Sequence, residues 1–228
     1  AVADAGFDVA VHYGGSADAA DEVVGLIRAK GRNAVALQAD LSNEKATAAL
    51  IGRAREEIGP LALLVNSASL FENDDVESMT RQSWDAHIET NLRAPVKLSQ
   101  DFAAQASKDG DKLIVNMIDQ RVLKLTPQFL SYTVSKAALH TLTITLAQAL
   151  GPKGIRVNAI GPGPTMRNKR QSEEDWRRQN EATVLGRGAD PDDIVGALLY
   201  LVGAKAVTGQ MIAVDGGQHL AWRTPDVL

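Results

Sequence analysis

The most informative stretch of the chain is residues 131–139, which read SYTVSKAAL. Tyr132 and Lys136 are four residues apart, so on a helix their side chains lie on one face, one turn apart. An ammonium group beside a phenol stabilises the phenolate, so this pairing predicts a lowered pKa for Tyr132 and proton transfer near neutral pH. The same helix continues with an apolar stripe at helical period, formed by Leu139, Leu142, Leu146 and Leu150. Alone, the spacing fits an exposed tyrosine and lysine equally well.

The composition is that of a chain able to bury a core, with no sign of nucleic-acid or membrane binding. Its 228 residues are 45% hydrophobic and carry a net charge of -4, which gives no support for a nucleic-acid interface. No apolar run approaches the roughly 18 residues of a membrane span. The absence of cysteine excludes disulfides and thiol catalysis. We expect a cytoplasmic protein that binds a small-molecule substrate and no metal.

Strand-length apolar runs alternate with amphipathic helical stretches along the whole chain. Strands are predicted at residues 8–13, 34–38, 61–66, 112–118, 156–160 and 211–214. Helices are predicted at residues 17–30, 43–58, 80–107, 131–150 and 190–202. This alternation predicts an α/β fold: a doubly wound, Rossmann-like parallel sheet between two layers of helices. Without a repeat or linker, residues 1–228 are expected to form one dinucleotide-binding catalytic domain.

The beginning of the sequence does not match the beginning of such a fold. Residues 1–5 have the character of a helix end, and the first predicted strand is 8–13. A dinucleotide-binding fold starts with a mid-sheet strand and a glycine-rich turn. Without that strand, backbone groups would be unpaired and the core would have a gap. We therefore expect a first strand and a glycine-rich turn before Ala1, which makes the domain N-terminally incomplete.

From Ala1 to about Gly217 the chain resembles the short-chain dehydrogenase/reductase family, because several short motifs occur in that family's order. The motifs are Asp40 after strand 34–38, Asn66-Ser67-Ala68-Ser69 at the end of strand 61–66, Asn91 in helix 80–107, Tyr132 and Lys136, Gly161-Pro162-Gly163-Pro164-Thr165 after strand 156–160, and Asp215-Gly216-Gly217 after the last strand. Each is weak alone. Their joint order and strand placement carry the resemblance.

The resemblance implies that a nicotinamide cofactor contacts several loops, through Tyr13, Ser16, Asp40, Leu41, Asn66, Ser67, Ala68, Tyr132, Lys136, Pro162, Gly163 and Thr165. It implies that Asp40 contacts the adenine, that Lys136 binds the nicotinamide ribose and that Thr165 binds the nicotinamide amide. From the residues alone, Asp40 is equally a loop aspartate that caps the next helix. Residues 66–69 are equally an ordinary polar turn, although doubly wound sheets place ligands at this edge.

The resemblance also implies a proton path through Asn91, Lys136 and Tyr132. Asn91 falls inside the apolar face of helix 80–107, and a buried amide needs hydrogen-bond partners. It is either a satisfied core group or, as in the family, the holder of a water that relays protons to Lys136. We favour the relay. Tyr132 is then the proton donor.

The residues after strand 8–13 bear on the choice between NADPH and NADH as the cofactor. NAD-preferring sheets usually place an acid there to hold the ribose hydroxyls, but this chain reads His12-Tyr13-Gly14-Gly15-Ser16 and has no carboxylate before Asp18. Nothing there repels a 2′-phosphate, and Ser16 can hydrogen-bond one. We expect NADPH rather than NADH.

One departure from the family pattern bears on the substrate. Most members have a serine thirteen residues before the tyrosine, where this chain has Asp119. An ionised aspartate would repel the alkoxide formed from a ketone, whereas a carboxyl group that relays a proton suits a C=N bond. Asp119 together with Phe71 resembles the pteridine and dihydromonapterin reductases, in which such a phenylalanine stacks on the pterin ring. Alone, Asp119 could be a turn aspartate and Phe71 a loop aromatic.

Other readings stay open. Within enzymes, the alternatives are a carbonyl or 3-oxoacyl reductase and a sugar or alcohol dehydrogenase; outside them, an inactive cofactor-binding sensor or scaffold. The resemblance implies that the polar segment 164–184 is a mobile lid over the substrate. Arg121, Arg167, Lys169 and Arg170 are either solvated charges or contacts for an anionic substrate. The two longest helices carry excess apolar surface, so we expect a homo-oligomer, with a tetramer favoured.

Overall fold

The computed structural model describes residues 1–106, 110–167 and 171–222, in which parallel strands alternate with helices. The strands are β1 (Val9–Tyr13), β2 (Ala34–Gln38), β3 (Leu63–Asn66), β4 (Lys112–Met117), β5 (Ile155–Pro162) and β6 (Met211–Val214). The helices are α1 (Ala17–Ala29), α2 (Glu44–Ile58), α3 (Arg81–Ile88), α4 (Ala94–Gln105), α5 (Leu130–Leu150), α6 (Glu173–Glu181) and α7 (Pro191–Gly203). The predicted doubly wound α/β fold is confirmed.

Two predictions about helices need correction. The single helix expected at 80–107 is α3 and α4 joined by a π-helical turn, Glu89–Arg93; residue 107 lies outside the described residues. Within the polar segment 164–184, α6 was not foreseen, because it has no apolar stripe to give it a helical period. Its start is favourable for a helix, because Ser172 caps it and the first turn is acidic.

The described strands form two separate parallel sheets. β1 pairs with β2, while β3, β4, β5 and β6 are hydrogen-bonded in that order. A cleft of about 760 Å³ lies between them, lined on one side by β1 and on the other by β3. Within the described ranges no strand fills it.

Helices cover both faces of the strands, as alternation of the strand residues requires. Ala34 and Ala36 of β2 pack with α1, while Leu37 packs in the larger core shared with α2 and α4. In β4, Ile114 belongs to that larger core, whereas Val115 packs with α7. The carboxyl ends of β3, β4 and β5 lie at one edge, where the predicted site residues follow them. No helix in the described part of the chain is long and apolar enough to cross a membrane.

Candidate active site

Helix α5 brings Tyr132 and Lys136 to the carboxyl end of β4, one turn apart as predicted. Only 6% of Tyr132 and 3% of Lys136 is exposed. The Lys136 ammonium donates to the carbonyl of Met117, the last residue of β4, at 2.8 Å. The helix and the strand therefore fix the lysine together, and both side chains face a largely dry environment.

The hydroxyl of Tyr132 donates to Asp119 Oδ2 at 2.9 Å. Asp119 is held in turn, because its Oδ1 accepts from the Arg121 N–H at 2.7 Å. The two residues that the sequence placed thirteen apart thus form a direct tyrosine–carboxylate pair at the sheet edge.

The predicted lowering of the Tyr132 pKa is wrong for this arrangement. Burial raises the pKa of Tyr132, and the charge of Asp119 and its hydrogen bond raise it further. The Lys136 ammonium lies 5.8 Å from the centre of the tyrosine ring and bonds a backbone carbonyl instead. The nearest charge to the hydroxyl is therefore negative, which keeps the phenol protonated.

Lys136 is the group whose pKa moves toward neutrality. Burial lowers its pKa to about 8, although the charge of Asp119 acts in the opposite direction. A lysine with a pKa near 8 can gain or lose its proton in the pH range where many enzymes work.

Asn91 sits in the π-helical turn and is 1% exposed. Its Oδ1 accepts from the Leu70 N–H at 2.7 Å, and its Nδ2 donates to the Leu70 carbonyl at 2.9 Å and to Ser135 Oγ at 3.1 Å. The Ser69 hydroxyl also reaches Oδ1, at 3.3 Å. These four bonds use the capacity of the amide, so a relay through this side chain requires one of them to open. The relay stays a prediction, while the clamp on the loop after β3 is observed.

An aromatic wall stands beside the tyrosine. The ring of Phe71 stacks on Phe129 with centroids 4.5 Å apart, and meets Tyr132 edge-on at 4.7 Å. The guanidinium of Arg121 lies 4.9 Å from the centre of the Phe129 ring. Sequence reasoning found Phe71 and missed Phe129. Phe129 precedes Tyr132 by three residues, which could have signalled a shared helical face, but its left-handed backbone could not be read from the sequence.

Sequence reasoning also missed a buried polar cluster under this wall. Asp74, His87 and Ser131 are at most 3% exposed and are joined through Ser131 Oγ, which lies 2.5 Å from Asp74 Oδ2 and 2.7 Å from His87 Nδ1. Asp74 and His87 come from segments without a distinctive motif, so the signal was absent.

The predicted cofactor residues fall into two groups on either side of the cleft. Tyr13 ends β1, Ser16 follows it, and Asp40 and Leu41 follow β2. The other predicted residues belong to β3, β5, α5 and their loops. Asp40 is exposed, and hydrogen bonds from the Ser42 hydroxyl and N–H hold its pKa below the usual value. The cap of α2 is Asn43, whose Oδ1 accepts from Ala46 N. The alternative in which Asp40 caps that helix is therefore wrong.

Several details fit a bound nicotinamide dinucleotide. Ser16 stands at the start of α1 without using its side chain as a cap. The buried Oδ1 of Asn66 has no hydrogen-bond partner within the described ranges, although its Nδ2 donates to Asn116. A Cβ on Gly163 would lie 2.5 Å from Asp215 Cβ, so only glycine fits there. Thr165 Oγ1 donates to the Gly163 carbonyl at 3.1 Å.

The remaining predicted cofactor residues lie at the ends of two strands. Ser67 and Ala68 lie in the exposed loop after β3, and Pro162 ends β5.

The basic residues considered as contacts for an anionic substrate lie in different settings. Arg121 Nη1 donates to Thr126 Oγ1 at 2.7 Å, so the guanidinium is held beside the aromatic wall. Arg167 lies 3.4 Å from Glu173 at the start of α6. Lys169 and Arg170 lie outside the described residues.

A family model described as enoyl-(acyl carrier protein) reductase matches residues 1–219. The chain belongs to the short-chain dehydrogenase/reductase family and is an oxidoreductase of that family.

Its similarity to particular members extends over nearly the whole length. The crystal structure titled FolM alternative dihydrofolate reductase 1 from Brucella suis, in complex with NADP, is 46% identical, with a TM-score of 0.95; the match covers 100% of this chain and 91% of that one. The 3-oxoacyl-[acyl-carrier-protein] reductase FabG of Staphylococcus aureus is 31% identical over 223 residues, 96% of this chain and 91% of the relative. The probable galactose dehydrogenase GalD of Rhizobium meliloti is 35% identical over 187 residues, 79% of this chain and 73% of the relative.

Proposed function

We propose that the protein is an NADPH-dependent reductase of a small cyclic substrate, of the dihydropterin type, in which a C=N bond is reduced. The observation that carries this proposal is the hydrogen bond from the Tyr132 hydroxyl to the Asp119 carboxylate, at the position where most family members have a serine. A carboxylate there disfavours a developing alkoxide. It suits a nitrogen that must gain a proton.

The chemistry divides between the cofactor and the chain. NADPH supplies the hydride when it is bound. Tyr132 gives its hydroxyl proton to the substrate nitrogen, so that the C=N bond becomes CH–NH. The Asp119 carboxylate accepts from that hydroxyl and thereby orients it. Lys136, held by Met117, brings a positive charge to 5.8 Å from the centre of the Tyr132 ring, where it favours the phenolate formed there. Asn91 is the predicted connection from Lys136 to solvent.

The preference for NADPH rests on the residues after β1. Gly14, Gly15 and Ser16 are exposed between β1 and α1, and none carries a negative charge. A phosphate at the start of α1 would meet backbone N–H groups and the Ser16 hydroxyl. The Brucella suis relative, 46% identical, is titled as a complex with NADP, which supports the same preference here.

The substrate class rests on Phe71 and Asp119 together. The ring of Phe71 packs against Phe129 and Tyr132, so a flat heteroaromatic substrate that meets this wall is brought next to the proton donor. The similarity to a protein titled alternative dihydrofolate reductase supports a pterin-like ring.

Two alternatives are kept. A carbonyl or 3-oxoacyl reductase, or a sugar or alcohol dehydrogenase, is supported by the names of the Staphylococcus and Rhizobium relatives. An inactive cofactor-binding sensor or scaffold has less support, because the buried Tyr132 and Lys136 lie in one site with Asp119, which bonds the Tyr132 hydroxyl.

A substrate panel tests the proposal. NADPH oxidation is followed with dihydropterins and quinonoid dihydropterins, and with ketones, aldehydes and 3-oxoacyl thioesters. We expect turnover of the pterins, a higher pterin KM in Phe71→Ala by roughly fivefold, since an aromatic pair contributes about 1 kcal/mol beyond area burial, and a shift toward carbonyl compounds in Asp119→Ser. Activity confined to carbonyl compounds and indifferent to Phe71 would show that the pterin assignment is wrong.

The assembly proposed is a homo-oligomer, with a tetramer favoured. On α5, Val134 and Ile144 remain 40% and 42% exposed in the single chain, and symmetric association is the usual way to cover such a helix. A monomer by light scattering at micromolar concentration would contradict this. The absence of cysteine supports the predicted cytoplasmic location, which cell fractionation tests.

A further inference from the structure

The helix that carries Tyr132 and Lys136 has no cap of its own. Its N-cap residue is Phe129, which makes no side-chain capping bond and has φ 57° and ψ 49°. The first N–H groups of a helix need acceptors from outside the helix, and Ser, Thr, Asp or Asn usually provides them. A phenylalanine cannot, so the acceptor must come from elsewhere in the chain.

Asp74, from the loop between β3 and α3, takes that role. Its backbone carbonyl accepts from the Leu130 N–H at 3.0 Å, and its Oδ1 accepts from the Ser131 N–H at 3.0 Å. The Ser131 hydroxyl donates to Oδ2 at 2.5 Å. Asp74 is 3% exposed. Its carboxylate thus lies where an N-cap side chain would normally lie, and its negative charge is favourable at a helix N-terminus.

Asp74 is held as a carboxylate. Burial acts to raise its pKa, but hydrogen bonds from Ser131 and Ser83 outweigh burial and keep the pKa below the usual value. An ionised carboxylate is only an acceptor, which matches the donors around it.

His87 connects the same cap to the aromatic wall. Its Nδ1 lies 2.9 Å from the Ser83 carbonyl and 2.7 Å from Ser131 Oγ, while Nε2 accepts from the Glu72 N–H at 3.2 Å. A carbonyl can only accept, so these bonds assign the proton to Nδ1. The histidine therefore ties the backbone beside Phe71 to the start of α5.

The left-handed conformation of Phe129 shows how firmly this region is held. A non-glycine residue at this φ is strained, and such strain persists only where the surroundings over-determine it. Here Asp74 binds the two residues that follow Phe129, and the Phe129 ring stacks on Phe71 and meets the Arg121 guanidinium. Backbone and ring are both held in place.

The trio Asp74, Ser131 and His87 has the residue types of a hydrolytic triad, but its geometry is different. Ser131 is 0% exposed, and its hydroxyl proton points to the aspartate instead of the histidine. No substrate can reach it, so the trio cannot act as a nucleophile.

We propose that Asp74 is a positioning residue: it caps the catalytic helix from the loop that carries Phe71, so that the aromatic wall and the Tyr132 hydroxyl are held as one unit. The identity of the substrate ring rests on the proposed function. The positioning role does not, because it applies to any substrate that Tyr132 protonates.

The test compares Asp74→Ala and Asp74→Asn with Asn43→Ala, the matched control. Asn43 caps α2, which carries none of the proposed site residues. We expect both alanine variants to lower the unfolding midpoint. Only Asp74→Ala should lower kcat at least about tenfold and raise the substrate KM, since small displacements of reacting groups are costly. NADPH should still bind at one per chain. Asp74→Asn should recover much of the loss, because an amide oxygen still accepts from Ser131 N.

A merely structural role predicts another pattern. Loss of folded protein lowers kcat in proportion to the NADPH sites that titrate, and leaves KM unchanged. Equal behaviour of Asp74→Ala and Asn43→Ala would therefore overturn the proposal. If Asp74→Ala does not fold, Ser131→Ala decides, because it removes the hydroxyl that joins Asp74 to His87: a raised KM supports positioning, and wild-type kinetics overturns it. Failure of the proposed function is distinct, because it appears in the wild type as lack of pterin turnover, and the variants are then measured with the substrate that is turned over.

Discussion

The central strands of the larger sheet, β4 and β5, are more deeply buried than β1, which borders the cleft. In β4 and β5 every residue but the last of each strand is buried, whereas all five residues of β1 are half-buried. Tyr132 and Lys136 lie against the buried sheet and have strongly shifted pKa values. Ser16 and Asp40, beside the two-stranded sheet, are exposed. Proton chemistry needs desolvated, fixed groups, while recognition of a charged nucleotide end can take place in water.

The difference in burial between β4 and β1 is tested by shortening one side chain in each strand. Ile114 is 0% exposed, and Val11 is half-buried. We expect Ile114→Ala to reduce the free energy of unfolding by about 4 kcal/mol, through lost burial and a cavity that cannot collapse. Val11→Ala should cost about 1 kcal/mol. Urea unfolding measures both, and equal losses would mean that the two halves do not differ in packing.

The next effect concerns catalysis. Tyr132→Phe keeps the ring that meets Phe71 but removes the hydroxyl that bonds Asp119. Turnover should fall at least about a hundredfold, the usual size of a general-acid contribution, with NADPH binding little changed. Tyr200→Phe is the control, because Tyr200 is a 58% exposed tyrosine of α7. Near-normal turnover in Tyr132→Phe would rule out its role as proton donor.

Burial of Lys136 predicts a pH-dependent stability. Its pKa is lowered by burial to about 8 from 10.5, so above pH 8 the unfolded chain binds the proton and the folded chain does not. The free-energy cost of burying the charged lysine is therefore at its full size below pH 8, and it decreases as the pH rises toward 10.5. Between pH 7 and 9.5, wild type should gain about 2 kcal/mol relative to Lys136→Met in urea unfolding. Exposed Lys153, changed to Met, is the control. Parallel pH curves for wild type and Lys136→Met would refute the prediction.

The smallest expected effect concerns the affinity for NADPH at the exposed residues after β1. Ser16→Asp places a carboxylate where the 2′-phosphate of NADPH is proposed to bind. At an exposed position the repulsion is screened by solvent and salt, so we expect about a tenfold loss of NADPH affinity. NADH, which lacks that phosphate, should be little affected and serves as the internal control. Fluorescence titration of both cofactors decides it, and equal losses would place the phosphate elsewhere.

Sequence periodicity predicted the alternation of strands and helices, because a strand such as β2 is a short apolar run between the amphipathic helices α1 and α2. Asp119 was found through the resemblance to the family, in which most members have a serine at that position, whereas the helical spacing located Tyr132 and Lys136. It did not foresee the direction of the tyrosine's pKa shift. That direction depends on which charge lies nearer to the hydroxyl, and the Lys136 ammonium turns to the Met117 carbonyl instead. Nor could it find Asp74 as the cap of α5, because its partners are 56 and 57 residues further along the chain.

The π-helical turn at Glu89–Arg93 sets the phase between α3 and α4. Residues of an α-helix advance by about 100° each, and a π turn accommodates one extra residue. His87 before the turn and Phe102 after it are both buried, at 0% and 1% exposure. Removal of one residue from this turn would rotate the two helices by about 100° relative to each other, so that both faces could not stay packed while Asn91 holds Leu70. Insertions and deletions are usually tolerated in loops. We expect an insertion or deletion within this five-residue π-helical turn to disrupt packing as much as one in a buried strand would.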